Sequence, residues 1–425
     1  MSSSSTTEPA GPAGPPASAI GPALLLVLAL LSAVAPFATD LYLPAFPAMV
    51  TDLGTDATSI QLTLTAFLVG IAVGQLGFGP ISDRIGRRVP LLVGATVFVL
   101  ASVATVFAPT VELLVVARLL QGLSGAAGMV LGRAIVSDRA DGPAAARAMS
   151  LMMVVGGVAP VVAPLAGGFI AGPLGWRGVL AVVLGIAVLM LVAVIAVVRE
   201  SLPPARRAEL RAARTTQGSV VAELGSRTYL GYTLAFAFGF AVMMAYISSS
   251  PFLYQEMMGL DEMAYGLLFG LNALALMVVS GASANLAGRV DVRRMVGLGL
   301  AISLAGTVLF LVIALTGLPV GLLAVAVFVA VAPLGLVFGN ATALALESVP
   351  RAAGSASAIL GALQFGLAAL VSPLVSLGGE GTAVPAAIVM VTAAVVACVA
   401  YAVAGRGPAA TAERLRDRDD VLEPV

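Results

Sequence analysis

Two ionisable side chains sit deep inside long apolar runs, Asp40 and Arg118. A charge at the centre of a bilayer costs roughly 2.5–3.5 kcal/mol on insertion scales, so such residues mark ion or substrate pathways by default. If the first run ends near Met49, Asp40 lies about 14 Å from one surface. If the run holding Arg118 starts near Thr110, Arg118 lies about 12 Å from the same surface. The two charges can then share a level and face one cavity. Burial favours a neutral acid, and a nearby guanidinium favours the carboxylate, so a carboxyl group balanced between them can load and release a proton as water access changes. The structural alternatives are a static Asp40–Arg118 pair or an Asp40 already wetted from outside. Gln121 lies one turn beyond Arg118 on the same face, suited to orienting it or to binding a substrate. Glu112 and Glu347 fall at the ends of runs, where water is close.

Other chemistries have little to work with. The 425 residues include no His and one Cys, Cys398, inside an apolar run. The commonest metal ligand and proton shuttle is therefore missing. No paired carboxylates stand inside the apolar runs, so a membrane-embedded enzyme has no obvious site. No Walker-type phosphate loop appears, which argues against ATP drive. A channel's filter repeat or polar rings are not visible either. The expectation is a protein without catalytic residues, metal or cofactor, with the proton as its coupling ion.

These residues must be positioned by membrane-crossing elements. The chain is 60% hydrophobic and 10% charged, against about 25% charged in soluble domains. Apolar runs long enough to span, about 20 residues each, lie near 20–48, 59–80, 90–108, 111–133, 149–171 and 178–198. A second set lies near 228–250, 263–285, 295–316, 319–342, 356–377 and 382–404. The expected fold class is an all-α integral membrane protein, with twelve transmembrane helices in two six-helix pseudo-symmetric bundles.

Arginine placement tests that count. All 22 basic residues are Arg, and 20 fall at one set of helix ends, from Arg84, Arg87 and Arg88 after the second run to Arg406–Arg418 in the tail. The other ends carry acids such as Asp52, Asp56, Glu256 and Asp261, with Arg177 the lone exception. The positive-inside rule places both termini in the cytoplasm and makes this a multi-pass protein of a cell's inner membrane. The expected organisation is a disordered cytoplasmic tail at 1–18, an N-terminal bundle at 19–198 and a cytoplasmic linker at 199–227. A C-terminal bundle at 228–404 and a cytoplasmic tail at 405–425 follow. A surface helix at 204–214 is a lesser alternative within the linker. GFGPISDRIGRR after the second run is echoed by NLAGRVDVRR after the eighth, with Gly288 standing 288 − 83 = 205 residues after Asp83. Two such halves are the footprint of a parallel-repeat transporter. The offset carries Asp40 to Ala245 and Arg118 to Leu323, so ion chemistry belongs to the first half.

Several segments resemble a known family. GPISDRIGRR (79–88) is similar to the loop 2–3 signature of the major facilitator superfamily, and RLLQGLSGAAG (118–128) to its helix 4 signature. ATDLYLPAFP (38–47), SIQLTLTAFLVGIAVGQLGFGP (59–80), APVVAPLAGG (159–168) and ESLPP (200–204) resemble the bicyclomycin-resistance and chloramphenicol/florfenicol-resistance exporters within it. The resemblance implies the major facilitator fold and proton-coupled drug export. It makes Asp83, Arg84, Gly86, Arg87 and Arg88 a cytoplasmic gating latch, with Asp138 as an acidic partner. A plain topology anchor is the alternative. It makes Pro160, Pro164, Gly167 and Gly168 part of a helix associated with antiport. Here Ala159 and Ala163 precede the prolines where Gly-Pro is commoner, and ordinary helix packing is an equal alternative.

Tyr42, Gln121, Tyr246 and Asn340 are the expected substrate contacts, beside a wall that Met243 and Met244 can adapt. With Asp40 as the main acid, such a cavity suits small lipophilic neutral or cationic compounds. The leading expectation is a proton-coupled antibiotic and multidrug antiporter working by alternating access as a monomer. Its partners are a small-molecule drug, protons and the lipid bilayer, with no nucleic acid. A sugar or amino-acid exporter of the same fold is the alternative.

Overall fold

A computed structural model describes residues 20–140, 142–208, 221–377, 379 and 381–405. The expected tails at 1–18 and beyond 405, and linker residues 209–220, lie outside the described residues. Among the described residues, eleven helical stretches are long and apolar enough to cross a bilayer. One of them covers 51 residues, Arg147–Val197, and a straight helix of that length would reach about 77 Å, over twice the hydrocarbon core of about 30 Å. It breaks at Gly175, whose φ of 63° and ψ of −178° are not helical. That break makes two spans and gives the twelve helices the sequence predicts.

They are α1 Pro22–Leu53, α2 Ala57–Ile85, α3 Arg88–Val106, α4 Val111–Arg139, α5 (142–174), α6 (176–197), α7 Arg227–Met257, α8 Glu262–Leu286, α9 Val292–Thr316, α10 Leu322–Glu347, α11 Gly354–Leu374 and α12 Val384–Val403. The linker is helical over 204–208 and again at Val221–Leu224.

Prolines decide where these helices lose regularity. The α-helical part of α1 ends at Asp40, and a 3-10 turn, Leu43–Ala45, follows before Phe46–Leu53. Pro44 has no N–H to give the Asp40 carbonyl, and Pro47 has none for Leu43, so the ladder must break there. The end of α7 behaves alike, passing at Pro251 into a π-helical stretch, Phe252–Met257. In α10, Pro333 sits in a 3-10 stretch, Ala332–Leu336, between two α-helical pieces. Irregular backbone of this kind is tolerated at membrane depth where protein surrounds it.

Helix–helix contact rests on small residues, because lipid gives apolar side chains no reason to leave it. A Cβ on Gly122 of α4 would overlap the Phe67 carbonyl of α2, so the two backbones touch. The halves meet along two pairs, α2 with α11 and α5 with α8. At the end remote from the arginine-rich loops they are tied by hydrogen bonds. Gln61 Nε2 donates to the Ser248 carbonyl at 3.0 Å, Gln255 Nε2 to the Pro44 carbonyl at 2.9 Å, and Ser376 Oγ to Thr58 Oγ1 at 3.1 Å. Arg177, the exception to the arginine pattern, is used there: it pairs with Asp52 at 2.5 Å and lies over the Trp176 ring. Trp176 Nε1 donates to the same carboxylate at 2.9 Å. The break at Gly175 is thereby pinned to the end of α1.

Candidate functional site: a central cavity between the halves

Asp40 is 5% exposed and lines a cavity of about 250 Å³ between the two halves. The α1 break puts it on that wall, next to Ala35, Pro36 and Thr39. Thr39 Oγ1 is committed to the Ala35 and Pro36 carbonyls. Leu68, Ile71, Met129 and Pro160 complete the N-terminal side, and α7, α8 and α11 supply residues that include Phe240, Met243, Met244, Tyr246, Phe269, Asn272, Gln364 and Phe365. The lining is aromatic and aliphatic, with few polar groups. Asp40 is the one carboxylate on it among the described residues.

Arg118 is elsewhere. It is completely buried and does not line the cavity. Its guanidinium lies 4.3 Å from the centroids of both the Tyr42 and the Phe67 rings. Nη1 donates to Gln121 Oε1 at 2.6 Å, and Gln121 Nε2 donates to Ser102 Oγ at 2.7 Å. Tyr42 is held by a hydrogen bond between its hydroxyl and Thr63 Oγ1 at 3.2 Å. Arg118 and Asp40 form no ion pair among the described residues. The sequence brings these charges to a similar depth, and two aromatic rings keep the cation in a chamber of its own.

The expected substrate contacts separate accordingly. Tyr246 is on the cavity wall. Tyr42 and Gln121 serve Arg118. Asn340 donates to Ser283 Oγ and to the Leu336 carbonyl, both at 2.8 Å, and lies off the cavity. The remaining polar walls are Asn272 and Gln364, which the sequence offers as polar candidates for a central cavity without singling them out as substrate contacts.

At the arginine-rich end the loop between α2 and α3 is clasped. Arg87 donates through Nη1 to Asp83 and to Ser82 Oγ, both at 2.6 Å, and through Nε to Asp138 at 3.0 Å. The two carboxylates keep the guanidinium protonated beyond its ordinary range although burial opposes this. Gly86 turns the chain with φ of 102°, a region unfavourable to residues with a Cβ. Glu200, after α6, accepts from the backbone N–H groups of Arg87 and Leu202 at 2.9 and 3.0 Å, and of Arg88 at 3.2 Å. Burial pulls the Glu200 carboxyl up, but these donors and Arg207 outweigh it and hold it below the usual carboxylate range. Ser201 Oγ donates to Asp138 at 2.8 Å. Sequence reasoning assigned no latch role to Glu200 and Ser201, although the ESLPP run contains both.

The α5 glycines lie at a junction of three helices. A Cβ on Gly167 would overlap the Leu41 carbonyl, just past the α1 break, and one on Gly168 would overlap the Glu262 carbonyl at the start of α8. A Cβ on Gly266 would lie 2.7 Å from the Pro164 carbonyl. Pro160, one turn earlier, faces the cavity.

Known proteins place this architecture. The chain is 36% identical over 383 residues to the uncharacterised MFS-type transporter YdgK of Bacillus subtilis, covering 89% of this chain and 94% of that one. It is 29% identical over 377 residues to a bicyclomycin resistance protein homolog of Haemophilus influenzae, with the same two coverages. Among solved structures a D-xylose–proton symporter superposes with a TM-score of 0.73 at 16% identity, over 88% of this chain and 96% of that one. That likeness concerns the fold. The family description Major Facilitator Superfamily matches residues 28–373, and the chain, a multi-pass membrane transporter, belongs to that superfamily.

Proposed function

We propose that the protein is a proton-coupled antiporter that exports small lipophilic neutral or cationic compounds by alternating access. The observation that carries this reading is a single buried carboxylate, Asp40, on an otherwise apolar and aromatic cavity wall between the two halves. Asp40 takes a proton from the outer side, and its neutral form lets the cavity turn inward. Drug entering from the cytoplasm or the inner leaflet displaces that proton to the cytoplasm, and the drug-loaded cavity turns outward to release its cargo. Each inward elementary charge contributes about 2.3 kcal/mol per 100 mV of membrane potential.

Arg118 tunes this step through Tyr42, which its guanidinium contacts face-on. The Asp83–Arg87–Asp138 cluster, with Arg84, Arg88 and Gly86, is the latch of one half, and Glu200 completes it. Gly167 and Gly168, with Pro164, form the α1–α5–α8 junction about which the halves rock. Pro160 lets α5 bend beside the cavity. The arginine-rich end faces the cytoplasm of the inner membrane, and the two six-helix bundles act together in a monomer. Resemblance to a bicyclomycin resistance homolog supports the drug class.

A sugar or amino-acid exporter would need a wall rich in hydrogen-bonding groups, and this one is mostly carbon. Expression in a pump-deficient host decides between them. A raised inhibitory concentration across a drug panel, without new metabolites in the medium, is expected. Secreted metabolite without drug tolerance would reverse the assignment.

A further inference from the structure

A cavity wall made mostly of carbon chooses its ligands through the few polar groups it holds free. On this wall most are already committed. Thr39 Oγ1 donates to two carbonyls. The Tyr246 hydroxyl accepts from Asn272 Nδ2 at 3.3 Å, and that nitrogen also donates to the Leu268 carbonyl at 3.0 Å. Asn272 Oδ1 is enclosed by the protein. Gln364 of α11 differs. It lines the cavity, is only half-buried, and its amide bonds to no protein group among the described residues. Neither of its amide atoms is enclosed as Asn272 Oδ1 is. One side chain therefore offers a free N–H donor and a free carbonyl acceptor side by side.

The backbone that carries Gln364 is anchored on both flanks. Three residues earlier, Gly361 sits so close to α2 that a Cβ would overlap the Gln75 amide oxygen. Next in the chain, Phe365 meets the Phe240 ring of α7 edge-on, with centroids 5.6 Å apart. The seam with α2 and the ring contact with α7 give Gln364 a fixed place on the wall.

We propose that Gln364 is a specificity-determining residue that pairs with neutral compounds carrying an N–H donor and a carbonyl acceptor on one edge, such as a lactam or a cyclic imide. This rests on the export reading. The Gln364 amide gives an N–H to the compound's carbonyl and accepts the compound's N–H on Oε1, while the apolar body lies against Phe240, Met243 and Phe365. A compound that displaces water from the wall without offering such an edge leaves the amide unpaired, which is the basis of rejection. Asp40 answers to charge from the N-terminal half, and Gln364 to a neutral edge from the C-terminal half.

The test is equilibrium binding of three probes to the purified full-length protein in detergent. Diphenylhydantoin is lipophilic and carries N–H groups beside ring carbonyls. Its N,N′-dimethyl derivative keeps the carbonyls and has no N–H. Tetraphenylphosphonium, a lipophilic cation without a donor, reports whether the cavity takes lipophilic compounds at all. Gln364→Met keeps the length of the side chain and removes the amide. In that variant the preference for diphenylhydantoin over its dimethyl derivative should fall by at least about fivefold. Gln364→Leu carries the same expectation if the methionine variant elutes as aggregate. An unchanged preference overturns the assignment, as does wild-type protein that takes tetraphenylphosphonium and neither hydantoin, and both results leave the export reading standing. Wild-type protein that binds none of the three overturns both.

Discussion

A fully buried guanidinium is costly unless something replaces its water, and no carboxylate pairs with Arg118 among the described residues. Two aromatic faces at 4.3 Å and one amide oxygen do the replacing. Cation–π contacts contribute about 2 kcal/mol when desolvated. They suit the planar guanidinium better than a compact ammonium. Arg118→Lys should therefore lower unfolding stability by about 2 kcal/mol or more, measured by denaturant titration of the purified protein. An unchanged midpoint would mean that the rings are incidental. Depth along the helix was legible from the sequence, because residue spacing fixes rise. Which way Asp40 and Arg118 face was not, because Tyr42 and Phe67 come from α1 and α2, and their placement around α4 is tertiary. Met243 and Met244 were expected on the cavity wall and lie there, but Phe240, Phe269 and Phe365 were hidden for a related reason: lipid and a drug-sized cavity both accept apolar side chains, so hydropathy cannot separate them.

At the element scale the clasp around Gly86 joins three helix ends through Arg87, Asp138 and Glu200. Its pH dependence follows from Glu200. A carboxyl held below its ordinary range in the folded state stabilises above the unfolded value, and that contribution is lost as pH falls through the folded one. The clasp should therefore hold at neutral pH and loosen on acidification below about pH 4, the ordinary glutamate range. Amide hydrogen exchange reads this directly. In Glu200→Ala the protection of the Arg87 and Arg88 amides should fall about tenfold at neutral pH, as expected when a bond to a charged acceptor is lost. Undiminished protection would show that the loop holds without Glu200. The arginines and Gly86 were visible in the sequence as a turn and an anchor. Glu200 is 113 residues from Arg87, and no local pattern announces a partner across that distance. The twelve spans were legible because apolar length is set by the bilayer, and the loss of helix at Gly175 was anticipated as a boundary between two runs.

For the whole molecule, the α5–α8 junction is one of the two helix pairs along which the halves meet. Gly168 leaves no room for a Cβ against Glu262, and overpacking such a contact costs typically about 1–3 kcal/mol. Gly168→Leu should bias the protein toward separation at that end. Spin labels at Leu53 and Leu260 should then report a longer distance, together with reduced transport. An unchanged distance distribution would place the pivot elsewhere. Above these details stands the claim that proton movement through Asp40 drives export. The direct measurement is drug movement in proteoliposomes under an imposed pH gradient, comparing wild type with Asp40→Asn. The account predicts that wild-type protein moves drug against the proton gradient and that Asp40→Asn still binds drug but does not respond to the gradient. Undiminished gradient-driven transport by Asp40→Asn would contradict it.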